Sequence, residues 1–409
     1  MTARQSIHCP WAMLSIFIQV GMLQYSRVGA QSYLAAGDVA ALKAVRSWLH
    51  EVDDTPDLGS FFSSWVFHSD PCSFDGVLCD IVDGDTRVAA LNLGFASGTS
   101  AGLRGRLHPA VGSLTALVQL SLAPGKVGGA VPSSLSRLSR LQNLGLSHNL
   151  LSGNIPPGLA TISSLVALDL SFNRLSGNVP AQLASLPRLA TLRLAHNRLS
   201  GDLPATFHGC ASLDHIDLSH NLFTGPLPSL PPSVTHLDMS RNRLSGDLHV
   251  VKSLVKLYYL DLSRNQLAGA LPPSLLSAPL TLLSVHHNFL SGPLLPDELV
   301  IVPTVDLSFN QLSGPVSPFF AFTHNLYLNN NHFTGAVPQE FLDQLLASSM
   351  RTLYLQHNFL TNFPPLPYGS SIPLTASVCV QYNCMQLPPL DSPCHHIRAS
   401  RPSTQCRST

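Results

Sequence analysis

Charged residues are scarce in this sequence. Only 11% of its 409 residues are Asp, Glu, Lys or Arg, and 23 basic residues balance 23 acidic ones to a formal net charge of zero. A nucleic-acid-binding surface needs a concentrated excess of Lys and Arg, so no nucleic-acid partner is predicted. Glutamate occurs only as Glu51, Glu298 and Glu340, against 18 histidines. Because histidine titrates at about pH 6.5, the protein is predicted to become positive in mildly acidic surroundings.

Motifs for phosphate and zinc binding are also missing. There is no glycine-rich phosphate-binding loop and no HExxH zinc motif. The chain also lacks an N-x-[ST] glycosylation sequon. We therefore expect a protein that is not an enzyme, with no cofactor and no metal ion.

Long apolar runs are absent apart from one near the N-terminus. Residues 1–30 carry Arg4, an apolar run at 11–23 and small residues at 28–30, which together predict a cleaved secretory signal peptide. The run is too short to span a bilayer, and no later segment reaches eighteen uninterrupted apolar residues. The sequence thus predicts a secreted protein with no integral membrane anchor.

Cysteine is sparse, and its positions fit an oxidising compartment. Seven cysteines follow the predicted signal peptide: Cys72, Cys79, Cys210, Cys379, Cys384, Cys394 and Cys406. The last four can pair in three ways, and we expect two disulfides in a C-terminal cap. A zinc site is the alternative, although the spacings of five, ten and twelve are irregular for one. Cys210 is predicted to be a buried core residue without a partner.

Leucine and asparagine recur along the sequence in a regular pattern. The clearest copy has Leu141, Leu144, Leu146 and Asn149, and its asparagine recurs every 21 to 27 residues. The members of this asparagine ladder are Asn149, Asn173, Asn197, Asn221, Asn242, Asn265, Asn288, Asn310, Asn331 and Asn358. The pattern LxxLxLxxN at this period indicates a leucine-rich repeat protein.

The pattern also predicts the conformation of each repeat. Apolar residues that alternate with polar ones indicate one short strand per repeat with one buried face. A single repeat cannot bury its leucines, so neighbouring repeats must stack and their strands must pair in parallel. Each asparagine is expected to bond buried backbone groups that the following turn leaves unpaired. A glycine four residues later, such as Gly153, is expected at a bend that tolerates no side chain.

The tail of each repeat, LSGxIPxx, resembles the plant-specific class of leucine-rich repeat found in receptor kinase ectodomains, receptor-like proteins and polygalacturonase-inhibiting proteins. The resemblance covers about residues 36–365. It implies an α/β solenoid of about twelve coils, with a parallel sheet on the concave face of a superhelix and disulfide-capped ends. The segment around Cys72 and Cys79 resembles the N-terminal cap of this class, in which the two cysteines form a disulfide.

The resemblance divides the chain into four parts. These are a signal peptide at 1–30, an N-terminal cap at 31–85, repeats at 86–365 and a cysteine-containing C-terminal cap and tail at 366–409. Within the N-terminal cap, Asp38 is predicted to cap a helix that covers the open end of the first coil.

Two side-chain arrangements suggest chemistry, and simple surface polarity is the alternative interpretation of both. Asp217, Asp238 and Asp261 lie on successive predicted strands, at nearly the separation of a retaining glycosidase pair. His215 and His236 lie beside the first two, which suggests a metal cluster. An open sheet excludes no water and Leu-Asp-Leu-Ser is the common strand of this class, so catalysis and metal binding are both disfavoured.

A ligand-binding surface is the better-supported prediction. Exposed tyrosine, histidine and arginine recur in the repeats from the seventh onward, and rigid aromatic side chains often carry interface energy. We predict one concave patch formed by Tyr258, Tyr259, Arg264, His286, His287, Phe309, Tyr327 and Tyr354.

Histidines near this face are predicted to make binding depend on pH. Nine are expected on or beside the concave sheet, with titration between about pH 5 and 7.5. They are His148, His196, His215, His220, His236, His286, His287, His324 and His357.

The expected function is therefore recognition in the plant extracellular space or cell wall. The partner would be an extracellular protein, a peptide or a wall polysaccharide, with a receptor kinase co-receptor as a further partner. One alternative is an inhibitor of a wall-degrading hydrolase, but inhibitors of the polygalacturonase type usually have two N-terminal disulfides and a tight 24-residue period. The other is a structural wall protein, for which the proline content around residues 364–389 is too low.

Overall fold

The repeats stack into a solenoid, seen in a computed structural model that describes residues 33–51, 61–94, 102–388 and 400–406. The predicted signal peptide and Cys394 lie outside the described residues. Among the described residues, no helix combines the length and the hydrophobicity needed to cross a bilayer.

Helices are few and short. The α-helices of the described residues are α1 (Ala36–Trp48) and α2 (Gln339–Leu346). Single turns of 3-10 helix lie at Phe61–Ser64, Pro71–Ser73, Pro109–Ser113, Ser133–Arg137, Pro157–Thr161, Ala181–Ser185, His249–Ser253, Pro273–Leu275, Pro318–Phe322 and Ser403–Gln405. Four of these turns, which begin at Ser133, Pro157, Ala181 and Pro273, directly follow the proline of the LSGxIP tail.

Strands make up most of the regular structure. In chain order they are β1 (Leu49–Glu51), β2 (Val77–Val82), β3 (Asp85–Leu93), β4 (Leu103–Arg106), β5 (Gln119–Leu122), β6 (Lys126–Ala130), β7 (Asn143–Gly145), β8 (Leu150–Gly153), β9 (Ala167–Asp169), β10 (Arg174–Gly177), β11 (Thr191–Arg193), β12 (Arg198–Asp202), β13 (His215–Asp217), β14 (Leu222–Thr224), β15 (His236–Asp238), β16 (Ser245–Gly246), β17 (Tyr259–Asp261), β18 (Gln266–Gly269), β19 (Leu282–Ser284), β20 (Phe289–Pro293), β21 (Thr304–Asp306), β22 (Gln311–Pro315), β23 (Asn325–Tyr327), β24 (His332–Ala336), β25 (Thr352–Tyr354), β26 (Phe359–Asn362) and β27 (Ser377–Cys379).

The concave sheet is the longest of the three sheets that the described residues form. It contains β2 followed by every odd-numbered strand from β3 to β27. Only the β2–β3 pair at its edge is antiparallel, and the other strands pair in parallel and in sequence order. These parallel strands define thirteen coils, against the twelve or so expected. The additional strand is β27, which lies beyond residue 365.

Each full repeat has a second strand, so the prediction of one strand per repeat is wrong. The Leu-Ser-Gly segment after each asparagine forms strands of two further sheets, one of seven strands and one of six. In β8, Leu151 is buried, Ser152 is half-buried, and Gly153 adopts the left-handed conformation with φ of +79°. An alternating segment this short carries little strand signal in the sequence.

The asparagine ladder is confirmed as the link between coils. Asn173 Nδ2 donates to Leu146 O at 2.9 Å in the previous coil and to Leu170 O at 3.1 Å in its own. Its Oδ1 accepts from Leu151 N at 2.9 Å. Asn383, which the sequence pattern missed, makes the equivalent bonds to Leu355, Val380 and Leu360 at 2.9 to 3.0 Å.

The N-terminal cap closes the first coil, although the predicted role of Asp38 is wrong. The residue before α1 is Ala35, and Asp38 lies within the first turn, fully buried. Its carboxylate accepts two bonds from Arg87, at 2.8 and 2.9 Å, and one from Val88 N at 2.9 Å. Because these partners come from β3, Asp38 fastens the helix to the sheet instead of capping it.

Disulfides lie at both ends. The predicted Cys72–Cys79 bond is confirmed, with a Cα–Cα distance of 5.6 Å. Cys384 pairs with Cys406, and Cys379 is also disulfide-bonded, which rules out these three as zinc ligands. Cys210 is a free, buried thiol as predicted, and burial raises its pKa.

Candidate ligand-binding face

Three columns of side chains run along the solenoid on its concave sheet. In a three-residue strand such as β11, the middle Leu192 points into the core while Thr191 and Arg193 point outward. We call the residues equivalent to Thr191 the first column and those equivalent to Arg193 the second column. The turn column contains the residue before each ladder asparagine, such as His196, which has a left-handed backbone with φ of +53°.

The first column contains a stack of three rings. His215 and His236 have ring centroids 4.1 Å apart, and His236 and Tyr259 are 4.2 Å apart, with interplanar angles of 11° and 10°. Burial lowers the pKa of His215 to about 3 and also lowers the pKa of His236. Burial likewise raises the pKa of the Tyr259 hydroxyl. Burial therefore favours the neutral form of all three rings.

The second column contains the carboxylates Asp217, Asp238 and Asp261 in direct register. Each Oδ1 accepts from the backbone N–H two residues later, at 3.1, 2.9 and 2.8 Å respectively. These bonds fix the turn after the strand, which gives the aspartates a structural role. Burial, and then the charge of Asp217, raise the pKa of Asp238 to about 7.

A metal cluster at His215, His236, Asp217 and Asp238 was the disfavoured alternative of the sequence analysis. The two histidine rings stack face to face, with centroids 4.1 Å apart. No group of three or more His, Cys, Asp or Glu side chains that could hold a metal ion is present among the residues described.

The turn column contains a second ring stack, which sequence analysis missed. The rings of His148, Phe172, His196 and His220 follow one another at centroid distances of 4.1, 4.2 and 3.8 Å. In the sequence, these four residues have one property in common: each directly precedes an asparagine of the ladder. Stacking itself depends on the shared left-handed backbone, with φ between +52° and +56°, which the sequence does not reveal.

The expected titration between pH 5 and 7.5 is wrong for two of the nine histidines, whose pKa values fall below that range. Burial lowers the pKa of His220 to about 4 and that of His215 to about 3. The same cause lowers the pKa values of four others: His196, His236, His287 and His357. Packing against neighbouring rings removes water from the imidazoles, so the charged form is disfavoured.

The eight residues of the predicted patch fall into separate groups. Tyr259 stacks on His236 of the preceding coil, and Tyr258 directly precedes β17 with 58% of its surface exposed. His286 and His287 bring their Nδ1 atoms to 2.7 Å, and His287 stacks on Phe309 at 4.1 Å. Arg264 is an exposed member of the turn column.

Tyr327 and Tyr354 form a further group in the second column. They are in register on β23 and β25, with ring centroids 5.2 Å apart and an interplanar angle of 88°. Leu282, Ser284 and Thr304 lie between Tyr259 and this pair along the sheet. The predicted residues therefore share one face without forming one aromatic cluster.

The last coils also carry amide side chains that were not predicted. Asn329, Gln356 and Gln381 each lie two residues after a second-column residue, on three neighbouring coils. Gln356 Oε1 and Gln381 Oε1 are buried and accept no hydrogen bond from the residues described. Buried polar atoms usually have a partner, so these two oxygens are unusual.

Sequence profiles of leucine-rich repeats match several parts of the chain. The Leucine rich repeat N-terminal domain matches residues 35–80, and Leucine rich repeat profiles match 163–223, 140–162 and 256–278. No curated protein sequence matches the chain. A plant ice-binding protein of known structure is 31% identical, with 73% of this chain and 95% of that chain covered and a TM-score of 0.58. The chain is a plant-type extracellular leucine-rich repeat protein.

Receptor ectodomains resemble this leucine-rich repeat protein more closely in shape. The PEPR1–AtPEP1 complex is 26% identical, with 86% of this chain and 52% of that chain covered and a TM-score of 0.67. The TDR receptor is 26% identical over 69% of this chain and 55% of that chain, with a TM-score of 0.61. The leucine-rich repeat protein thus spans about half the length of these receptor chains.

Proposed function

We propose that this protein is secreted and recognises an extracellular peptide or protein through its concave sheet. The observation that carries the proposal is the ordered array of aromatic and polar side chains on thirteen parallel strands. A rigid sheet holds such side chains in place before a ligand arrives, which lowers the entropic cost of binding. The likeness to the PEPR1–AtPEP1 complex supports a peptide or protein partner, and a receptor kinase co-receptor fits the same fold class.

Non-enzymatic function and extracellular location are parts of the same proposal. The second-column carboxylates bond their own turns, and an exposed sheet does not exclude water from a reacting bond. Disulfides near both ends of the solenoid support an oxidising compartment such as the extracellular space or the cell wall.

Affinity capture tests the proposal and separates it from its alternatives. Immobilised protein is incubated with a plant wall extract, and the captured material is treated with protease or glycosidase before analysis. We expect protease-sensitive material whose capture falls at least about tenfold with Tyr327→Ala but not with Tyr368→Ala. Tyr368 is a matched control, since it is fully exposed and lies between β26 and β27. Capture of an active wall hydrolase would favour the inhibitor alternative, and capture of glycan alone would contradict a peptide or protein partner.

A second candidate function is ice binding, suggested by the 31% identity to the plant ice-binding protein. Eight of the second strands carry a half-buried hydroxyl at the same position, with Ala268 interrupting the row, and paired strands lie about 4.8 Å apart. The row consists of Ser152, Ser176, Ser200, Thr224, Ser245, Ser291, Ser313 and Thr334. Inhibition of ice recrystallisation that is lost in Ser200→Lys would support this candidate, and growth of ice crystals as in buffer would reject it.

A further inference from the structure

The flank of the solenoid that leads into the concave sheet changes from polar to apolar in its middle coils. We number the coils by their strands in that sheet, from β3 in coil one to β27 in coil thirteen. A buried residue lies two positions before each strand, such as Leu257 before β17, and we call the residue directly before it the flank column. In coils three to seven the flank column consists of Arg140, Ser164, Arg188, Ser212 and Ser233. In coils nine to eleven it consists of Pro279, Ile301 and Phe322.

The apolar members of this flank are exposed without a structural role. Ile301 and Phe322 leave 67% and 51% of their surfaces accessible, and Val255 in coil eight leaves 71%. A serine in the flank column can instead support the solenoid, since Ser233 Oγ donates to Leu213 O of the previous coil at 2.7 Å. Coils eight to eleven pair in sequence order, so the apolar patch extends over roughly 15 Å. Exposed apolar patches rimmed by polar residues mark interaction sites.

Opposite charges border the apolar patch on its two sides. Coil eight carries Lys252 and Lys256, and the segment that leads into coil ten carries Asp297 and Glu298. All four side chains are exposed, and none forms an ion pair with another described residue. Between them, residues 266–285 contain no Asp, Glu, Lys or Arg. Coil nine is therefore an uncharged coil with cations on one side and anions on the other.

This order of charges is complementary to itself under a two-fold rotation. An axis through coil nine, perpendicular to the flank, brings coil eight of a second copy against coil ten of the first. The lysines of each copy then face the carboxylates of the other, and Ile301 meets Val255 of the second copy. Phe322 in coil eleven meets the exposed Pro232 in coil seven of the second copy. An axis along the solenoid would instead bring coil eight against coil eight and oppose like charges.

We propose that two copies of this protein form an antiparallel dimer through this flank, with the two-fold axis at coil nine. The apolar patch forms the centre of the interface and the lysine–carboxylate contacts form its rim. No N-x-[ST] sequon occurs in the sequence, so an N-linked glycan does not cover the flank. The flank column lies outside the concave sheet, and the inference therefore does not depend on the proposed function.

Sedimentation equilibrium of the purified protein tests the dimer. We expect a reversible monomer–dimer equilibrium with a dissociation constant of about 10 μM, because an interface of this extent is small. Ile301→Asp should weaken self-association at least about tenfold, since it places a charge at the apolar centre. Its thermal unfolding midpoint should stay near that of the wild type, because the side chain is exposed. Ser212→Asp is the matched control, an exposed position of the flank column in coil six.

Charge exchange tests the two-fold arrangement. Lys256→Glu and Glu298→Lys should each weaken self-association about tenfold, because each variant opposes like charges at both symmetric contacts. An equimolar mixture of the two variants should form a heterodimer within about threefold of the wild-type affinity, since every cation again faces an anion. Arg188→Glu is the matched control for charge reversal, because Arg188 occupies the flank column in coil five.

Four results would overturn the inference. A protein that stays monomeric at about 100 μM does not form this dimer. A dimer that is unaffected by Ile301→Asp uses another surface. Oligomers that keep growing with concentration indicate a head-to-tail contact instead of a closed two-fold one. A mixture of Lys256→Glu and Glu298→Lys that shows no recovery contradicts the pairing of coil eight with coil ten.

Discussion

At the scale of single residues, each ladder asparagine serves two coils at once. Asn265 Nδ2 donates to Met239 O at 2.9 Å and to Leu262 O at 3.1 Å, while its Oδ1 accepts from Leu244 N at 3.0 Å. All of these backbone groups are buried between coils, where water cannot replace the amide. The side chain therefore closes a turn and holds two coils in register.

Removal of this amide should destabilise the solenoid markedly. Asn265→Ala is expected to lower the free energy of unfolding by about 2 kcal/mol or more, because buried donors and acceptors lose their partners. Urea unfolding followed by circular dichroism measures the change. Asn178→Ala is the matched control, since Asn178 is exposed and should change stability by less than about 0.5 kcal/mol. Equal losses of unfolding free energy in the two variants would contradict the proposal that the ladder asparagines hold neighbouring coils together.

Asp238 should make stability depend on pH in an unusual direction. Its pKa is raised to about 7 in the folded protein, so the folded state binds a proton more tightly than the unfolded chain. The stabilising contribution is full below the unfolded pKa of about 4 and is lost as pH rises toward 7. Asp238→Asn keeps the oxygen that accepts from Ser240 N but cannot titrate.

The unfolding midpoint of Asp238→Asn, relative to the wild type, should therefore rise as pH increases from 4 to about 7.5. Thermal scans across this range measure the difference. A relative midpoint that falls with rising pH would contradict a raised pKa for Asp238.

At the scale of elements, the N-terminal cap depends on a buried ion pair between a helix and a strand. Asp38 in α1 and Arg87 in β3 form a bidentate contact, with side chains 1% and 22% exposed. The attraction within a buried ion pair adds little net stability, because it is offset by the loss of hydration. Removal of one partner is costly, because the other charge stays buried without a partner.

Arg87→Leu should therefore loosen the cap by roughly 3 kcal/mol, while Asp38→Leu/Arg87→Leu should be closer to the wild type. Hydrogen exchange in α1 and β3 gives the local stability of both variants. If the double variant exchanged faster than Arg87→Leu alone, the buried charge would not be the cause of the loss.

Features set by local sequence were predictable, whereas features set by contacts between coils were not. The asparagine at a fixed place identified the coils, and the resemblance of the segment around Cys72 and Cys79 to the N-terminal cap of this class implied the first disulfide. The ring stack of His215, His236 and Tyr259 depends on residues 21 and 23 positions apart that face each other only after the coils are in register.

The amide oxygens at the C-terminal end were unpredictable for a related reason. A glutamine in the sequence gives no indication whether its oxygen is buried or has a partner, since both depend on neighbouring coils. The second strand of each repeat is likewise defined by its pairing with adjacent coils, because two to five residues carry little periodic signal.

At the scale of the whole molecule, coils pair only with their neighbours, so function can be located by removing one coil. Deletion of residues 167–190 joins residue 166 to Thr191 and brings β11 against β7 in the register now used by β9. Because repeat stability is approximately additive, the shorter solenoid should still fold.

Because the proposed function tests recognition at Tyr327, such a deletion should leave capture of the peptide or protein ligand within about twofold of the full protein, since the last coils keep their own neighbours. Deletion of residues 325–351 is the matched comparison, because it also removes one coil but takes Tyr327 and Asn329 with it. This second protein should lose binding at least about tenfold while keeping a cooperative unfolding transition. Affinity capture of protease-sensitive material from a wall extract provides the measurement. Loss of binding on removal of the early coil, with the late deletion harmless, would place the ligand near the ring stacks of the early and middle coils.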